Sequence, residues 1–363
     1  MVKKPDTVRG VLLGMAVGDA MGYTVDSRTL DEIRADYGPN GLMGYDLVNG
    51  YADITSYTQV AAFTVNGLLL ALTQRQKRGQ PVSYARYVAM ATREWSRSQR
   101  YCKPERNYCW LSGAPEAKRR RSMDNRMIDA LDRDTVGSIE NPTIRSDHPG
   151  AITQAVAVAL MQADMALDRE ELVRLGAEIV AQTHGDPEAF LCAAVLTVAM
   201  TELLENPDAT AQEILQKSRD AVQMVYGREF PQTAHIWELL QMAQILAGSE
   251  DISQTEAMEQ LRCRSSAEVL AGALYACLTS HGDFDSAIIT AVNHSGRSAA
   301  VGAVTGAILG ARQGSGALPE FYLESLESAM VLSELADDVV QGCPTASSLF
   351  NDDWDRKYIS SGF

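Results

Sequence analysis

The chain has 363 residues, 46% of them hydrophobic and 22% charged, enough for one large domain or two ordinary ones. Its 32 basic residues stand against 47 acidic ones, a net charge of −15 that repels nucleic acid and anionic lipid and leaves only a local basic patch to hold an anion. Aromatic and β-branched residues are sparse beside Ala, Leu, Met and Gln, which favours helix over sheet.

Residues 8–21 are apolar and Gly-rich and open a buried helix. Residues 37–50 hold Gly, Asn and Pro and read as loop. Thr55 or Ser56 caps a long helix running through Leu72, and helical spacing resumes over 82–97. Residues 101–113 are irregular, aromatic and basic. The basic run 118–121 that follows reads as a solvated helix face. Residues 134–150 are turn-rich. Helices are then predicted at 151–165, 169–183, 187–204, 211–225, 233–246, 267–278, 284–292, 299–312 and 322–335, with Gly185, Gly227 and Gly248 at expected C-caps. Over 299–312, Gly302, Gly306 and Gly310 with Ala303, Ala307 and Ala311 form a stripe of small residues, as a tightly packed core helix requires.

No hairpin signal, low-complexity tract or repeat stands out, so one all-α domain over residues 1–363 is the simplest organisation. Cys102, Cys109, Cys192, Cys263, Cys277 and Cys343 match neither a zinc site nor a disulfide framework and read as free thiols in a reducing cytoplasm. Residues 1–5 carry two lysines without an apolar signal core. The apolar run 299–311 falls short of the ~20 residues a bilayer span needs. The expectation is a cytoplasmic chain with neither a membrane nor a nucleic-acid partner.

Four collinear stretches carry a resemblance. Arg9-Gly-Val-Leu-Leu-Gly-Met-Ala-Val-Gly-Asp-Ala-Met-Gly22 is followed by Ile54-Thr-Ser-Tyr-Thr-Gln-Val-Ala-Ala-Phe-Thr64, then by Gly137-Ser-Ile-Glu-Asn-Pro142. The fourth is Ala291-Val-Asn-His-Ser-Gly296 with Gly302-Ala-Val-Thr-Gly-Ala-Ile-Leu-Gly310. Together they resemble the ADP-ribosylglycohydrolase family, which includes the dinitrogenase reductase-activating glycohydrolases, over roughly residues 8–342. The resemblance implies an orthogonal multi-helix all-α fold with a cleft and, in active members, two magnesium ions. Those members cleave the N- or O-glycosidic bond joining ADP-ribose to a modified side chain.

The family draws its metal ligands from a Thr/Ser-Asp-Asp triplet and an Asp-x-Asp-Thr/Ser cluster. Here the triplet reads Thr55-Ser56-Tyr57 and the cluster Arg297-Ser298-Ala299-Ala300. Only Thr55 remains in kind; Ser56, Tyr57, Arg297, Ala299 and Ala300 are degenerate. Magnesium wants carboxylate oxygens and a guanidinium stays charged, so no metal or cofactor is expected. After Asn141-Pro142, the family's Gly-rich turn keeps Gly150 but places Gln154 where an arginine is usual. The family's Gly-x-Gly loop aligns with Arg262-Cys263-Arg264. Thr183-His184-Gly185 matches a Thr-His-Gly, with His184 read first as a histidine facing a helix C-terminus. His294 divides equally between structural and cleft roles. Candidate cleft residues are Thr55, Ser56, Tyr57, Asp147, His148, Gln154, His184, Arg297, Ser298 and Ala299.

Three readings follow. The first is a pseudoenzyme holding an ADP-ribose-like or other anionic molecule. In it Arg297, with Arg262 and Arg264, either supplies positive charge or forms salt bridges with Asp19, Asp53 or Asp147. The second is a structural or interaction protein. It regulates an active paralogue, binds another protein partner or forms a homo-oligomer, with Trp110 and residues 101–121 as the contact surface. The third is an active or metal-independent hydrolase that uses Asp19, Asp53, Asp147 or Glu116, with Tyr57 as proton donor.

Overall fold

The computed structural model describes residues 3–102, 107–344 and 352–358. In chain order the helices are α1 (Pro5–Tyr23), α2 (Leu30–Tyr37), α3 (Ser56–Arg78), α4 (Tyr84–Gln99), α5 (Pro115–Lys118), α6 (Asn125–Leu131), α7 (Gln154–Met165), α8 (Arg169–Ala181) and α9 (Pro187–Glu205). They continue as α10 (Ala211–Tyr226), α11 (Gln232–Ala247), α12 (Gln254–Leu261), α13 (Ser266–Thr279), α14 (Phe284–Val292), α15 (Ser298–Gln313), α16 (Glu320–Ser325), α17 (Ala329–Gln341) and α18 (Asp352–Tyr358). Short 3₁₀ turns sit at Trp110–Gly113, Pro149–Ala151 and Ser315–Ala317. Among the described residues, extended pairing is confined to the isolated bridges Val48–Tyr51 and Ala52–Leu326. The fold is all-α.

The centre is an antiparallel pair, α1 against α15, built on two glycine rows. Gly10, Gly14, Gly18 and Gly22 recur every fourth residue and so share one face of α1. They meet Gly310, Gly306, Gly302 and Ser298 of α15. The approach is so close that a Cβ at Gly306 would lie 1.9 Å from the Gly14 carbonyl oxygen, and one at Gly18 equally close to that of Gly302. The stripe expected from a packed core helix therefore has its match in the chain's own first helix.

Around this pair lie α3, buried without a break over residues 56–74, and α9. α9 is long and apolar enough to cross a membrane, yet 78% of its apolar window is buried among other helices. One continuous apolar core runs from Val8 to Tyr358.

Local chemistry explains most helix ends. Thr29, Asp168, Thr210, Ser253 and Ser265 each form a capping box with a glutamate three residues on. Gly227 and Gly248 are C-caps as expected. Gly185 is not: α8 ends at Ala181, and Gly185 instead donates its N–H to Ile144 O at 2.9 Å. A Cβ there would meet Pro142 at 2.3 Å, so its bareness serves a chain crossing. The predicted helix over 322–335 is two helices, because Leu326 is extended and pairs with Ala52. α2, α6, α12 and α18 were not expected.

The basic run is a solvated face only in part: Arg119 and Arg120 are exposed, but its last residue turns inward. Arg121 is largely buried and bonds Asp53 Oδ1 at 2.9 Å and Glu327 Oε2 at 2.6 Å, while Arg119 also pairs with Glu327. Within the predicted contact surface, Trp110 Nε1 donates to Tyr358 Oη at 3.0 Å; residues 103–106 lie outside the described residues. All six cysteines are unpaired.

Candidate functional site

The site assembles where the start of α3 meets the start of α15. Asp19, fully buried on α1, accepts four hydrogen bonds: from the N–H and hydroxyl of Thr55 at 3.0 and 2.6 Å, and from those of Thr58 at 3.1 and 2.6 Å. Burial pushes the Asp19 carboxyl up to about 6 against the pull of these four donors. Thr55 Oγ1 in turn accepts the Tyr57 N–H at 3.2 Å and caps α3, as the sequence indicated. Ser56 N–H donates to Ser122 O at 3.1 Å, which draws the segment carrying Asp124 to the head of α3. Thr153 Oγ1 donates to Tyr57 O at 2.7 Å and fixes the head of α7 there too.

On α15, Arg297 occupies the N-cap position without a side-chain cap bond. Asp26 fills that role from outside the helix, accepting the Ala299 N–H at 3.1 Å through Oδ1. Its other oxygen lies 3.8 Å from Arg297 Nη1, and the same guanidinium donates to Ser27 Oγ at 2.7 Å. The Arg297 side chain keeps 36% of its surface exposed. Ser298, Ala299 and Ala300 are fully buried. Of the salt-bridge partners expected for Arg297, none is used: Asp19 is committed to two threonines, Asp53 to Arg121, and Asp147 is exposed. Asp26, unremarked in the sequence, is the partner.

Burial holds the Tyr57 hydroxyl far above its usual pKa, and the charges of Asp26, Asp19 and Asp124 reinforce it while Arg297 opposes it. These four groups are therefore neighbours in one electrostatic environment. Beside them, His184 Nε2 lies 3.1 Å and His148 Nδ1 3.4 Å from Asp124 Oδ2. Burial depresses the His148 pKa to about 4 against the pull of Asp124, with Arg297, His184 and Arg126 also lowering it. Asp124 falls to about 2: burial raises it, but the hydrogen bond to His184 and the nearby imidazoles win. His184 thus faces a carboxylate and the Thr183 hydroxyl, and not the carbonyls of a helix end.

Other candidates stand apart. Asp147 contributes its carbonyl, which accepts from Ser266 N and Oγ at 2.9 and 2.8 Å and seats α13. Gln154 is buried; its Nε2 donates to Thr64 Oγ1 at 2.9 Å and its Oε1 has no partner. Glu116 meets α3 through its backbone carbonyl and Gln59. Arg262 and Cys263 both adopt positive φ, 60° and 53°, the conformation that favours glycine, at the loop aligned with the family's Gly-x-Gly. The Cys263 carbonyl accepts the Arg297 N–H at 2.7 Å. The Arg262 side chain turns to Glu268 at 3.4 Å and Arg264 to Ser295 O at 3.5 Å, so neither joins Arg297. His294 is structural: fully buried, it bonds Ala291 O through Nε2 at 2.9 Å and leaves Nδ1 unpartnered.

The fold is an all-α one in which the first helix packs on a late glycine-striped helix and the heads of α3 and α15, with Thr55-Ser56-Tyr57 and Arg297-Ser298-Ala299, lie in one region. The chain belongs to the ADP-ribosylglycohydrolase family, whose model matches residues 2–348. Among solved structures it is similar to one described as an ADP-ribosylglycohydrolase-related protein complex, at 20% identity and a TM-score of 0.54, covering 94% of this chain and 99% of that one. At that identity the likeness shows the fold alone. No curated protein matches the chain.

Proposed function

We propose that this chain is a pseudoenzyme of its family, without the two-magnesium chemistry, whose cleft holds an ADP-ribose-like or other anionic molecule. The observation that carries this is Arg297: a permanent cation at the head of α15, steadied by Ser27 and Asp26 beside Tyr57. Magnesium demands near-octahedral oxygen ligation. The positions where the family places its aspartates offer a buried hydroxyl at Ser56, a buried phenol at Tyr57, a methyl group at Ala299 and the guanidinium itself, and its terminal hydroxyl position offers the methyl group of Ala300. Thr55, the remaining hydroxyl in kind, donates its proton to Asp19 and accepts the Tyr57 N–H. Like charge a few Å from a divalent ion costs several kcal/mol at protein dielectric, about 4 kcal/mol per unit-charge pair at 4 Å. This donor set does not fit the ions. The partly exposed guanidinium, by contrast, is suited to a phosphate or carboxylate.

Titrating ADP-ribose by calorimetry tests the ligand: binding heat in the native chain, lost in Arg297→Ala, is the expected result. No heat at millimolar ligand would end the nucleotide version. Hydrolysis of ADP-ribosyl-arginine or ADP-ribosyl-serine is expected to be undetectable with or without magnesium. Turnover that rises with added magnesium would overturn the reading, and turnover in excess chelator would point to a metal-independent hydrolase.

A further inference from the structure

Asp124, His148 and His184 arrive from three separate segments, and their donor atoms all lie within 4.8 Å of one another. Asp124 precedes α6 and caps it with Oδ1, which accepts the Arg126 N–H at 3.0 Å. Capping leaves Oδ2 to the two imidazoles, at 3.1 and 3.4 Å. Three donors held about 2.0–2.1 Å from a tetrahedral zinc ion stand about 3.3 Å apart. The spacing to Asp124 is already that of a ligand set.

Tautomers sharpen the point. The Gly150 N–H donates to His148 Nδ1 at 3.0 Å, so that nitrogen carries a lone pair. Asp124 Oδ2 lies 3.4 Å from the same nitrogen, so two acceptor atoms stand side by side, a pair that positive charge between them would stabilise. His184 Nε2 holds its proton toward Asp124 Oδ2 in the metal-free chain, and a metal would displace that proton while Nδ1 keeps an outer contact with Thr183 Oγ1 at 2.9 Å.

We propose that Asp124, His148 and His184 form a binding site for one divalent transition ion of the zinc class, with a coordination position left open for water or an anionic ligand. Two imidazoles and one carboxylate suit zinc, cobalt or iron; magnesium prefers an all-oxygen shell. The site lies beside the family's ligand positions and uses none of them, so it does not rest on the pseudoenzyme reading. A bound ion takes the Nδ1 lone pair from the Gly150 N–H, and the charges of Arg297 and Arg126 near His148 limit its affinity.

The test uses the full chain, stripped with chelator, titrated with zinc by calorimetry and with cobalt by visible absorption. One equivalent of zinc and cobalt d–d bands without a thiolate charge-transfer band are expected. His148→Gln and Asp124→Asn each weaken binding by about 100-fold or more, beyond what loss of an orienting partner costs. Gly150→Ala keeps all three donors but sets a methyl 3.0 Å from His184 Nε2 and 3.1 Å from His148 Nδ1, at a φ that alanine tolerates. It too should weaken binding, which keeps the proposal testable if a ligand variant fails to fold. Absence of bound ion, affinity unchanged in His148→Gln and Gly150→Ala, or a thiolate band abolished by Cys102→Ser would each overturn the proposal. The last two outcomes leave the Arg297 ligand test untouched.

Discussion

At the scale of single residues, burial and charge pull in opposite directions, and the outcome depends on the partners. Asp19 has four donors and no cation, and its carboxyl is raised; Asp124 has two imidazoles and is lowered. His294 offers the simplest test because only burial and one backbone bond act on it. Burial lowers its pKa from 6.5 to about 4. The folded chain therefore resists protonation that the unfolded chain accepts below pH 6.5, so stability falls as pH drops from 6.5 toward 4. At pH 5 the loss is roughly 2 kcal/mol. Urea unfolding at pH 7.5 and pH 5 should show the native chain losing about that much more than His294→Gln, which lacks the titrating ring. Equal losses in the two proteins would show that His294 does not titrate as described.

At the scale of elements, the glycine rows fix the architecture. A methyl at Gly306 would lie 1.9 Å from the Gly14 carbonyl, and neither helix can yield because both are buried. Gly306→Ala is expected to destabilise by about 3 kcal/mol, at the upper end for overpacking. Gly44→Ala, with nothing within 4 Å of the added carbon, is expected to be neutral. Thermal melts of both variants decide it: equal melting temperatures would mean that α1 and α15 can separate freely. At the same scale some element boundaries are written in the sequence and others are not. Thr29-Leu-Asp-Glu32 and Ser253-Gln-Thr-Glu256 are capping-box patterns that announce α2 and α12. The break between α16 and α17 carries no such signal, since Leu326 is extended only because Ala52 pairs with it.

At the scale of the whole molecule, charge balance sets what the surface meets. Two of the four charges in the basic run, those of Arg119 and Arg121, are paired with Asp53 and Glu327, which shrinks the foothold it offers an anionic polymer. With a net charge of −15, the chain should pass through a heparin column at physiological ionic strength without retention. Elution only at raised salt would reveal a basic surface that the ion pairs do not cover.

The sequence by itself determined the helical class, the family and the α3 cap, because these rest on local signals: composition, short motifs and a threonine one residue before a helix. It also showed that the family's metal positions hold Ser56, Tyr57, Arg297, Ala299 and Ala300. Only the tertiary structure decided partners. Asp26 rather than Asp19, Asp53 or Asp147 meets Arg297, and Asp124 joins His148 and His184 across separations of 24 and 60 residues. A carboxylate's role depends on which cation or donor the packed helices set beside it, and spacing along the chain carries no record of that distance.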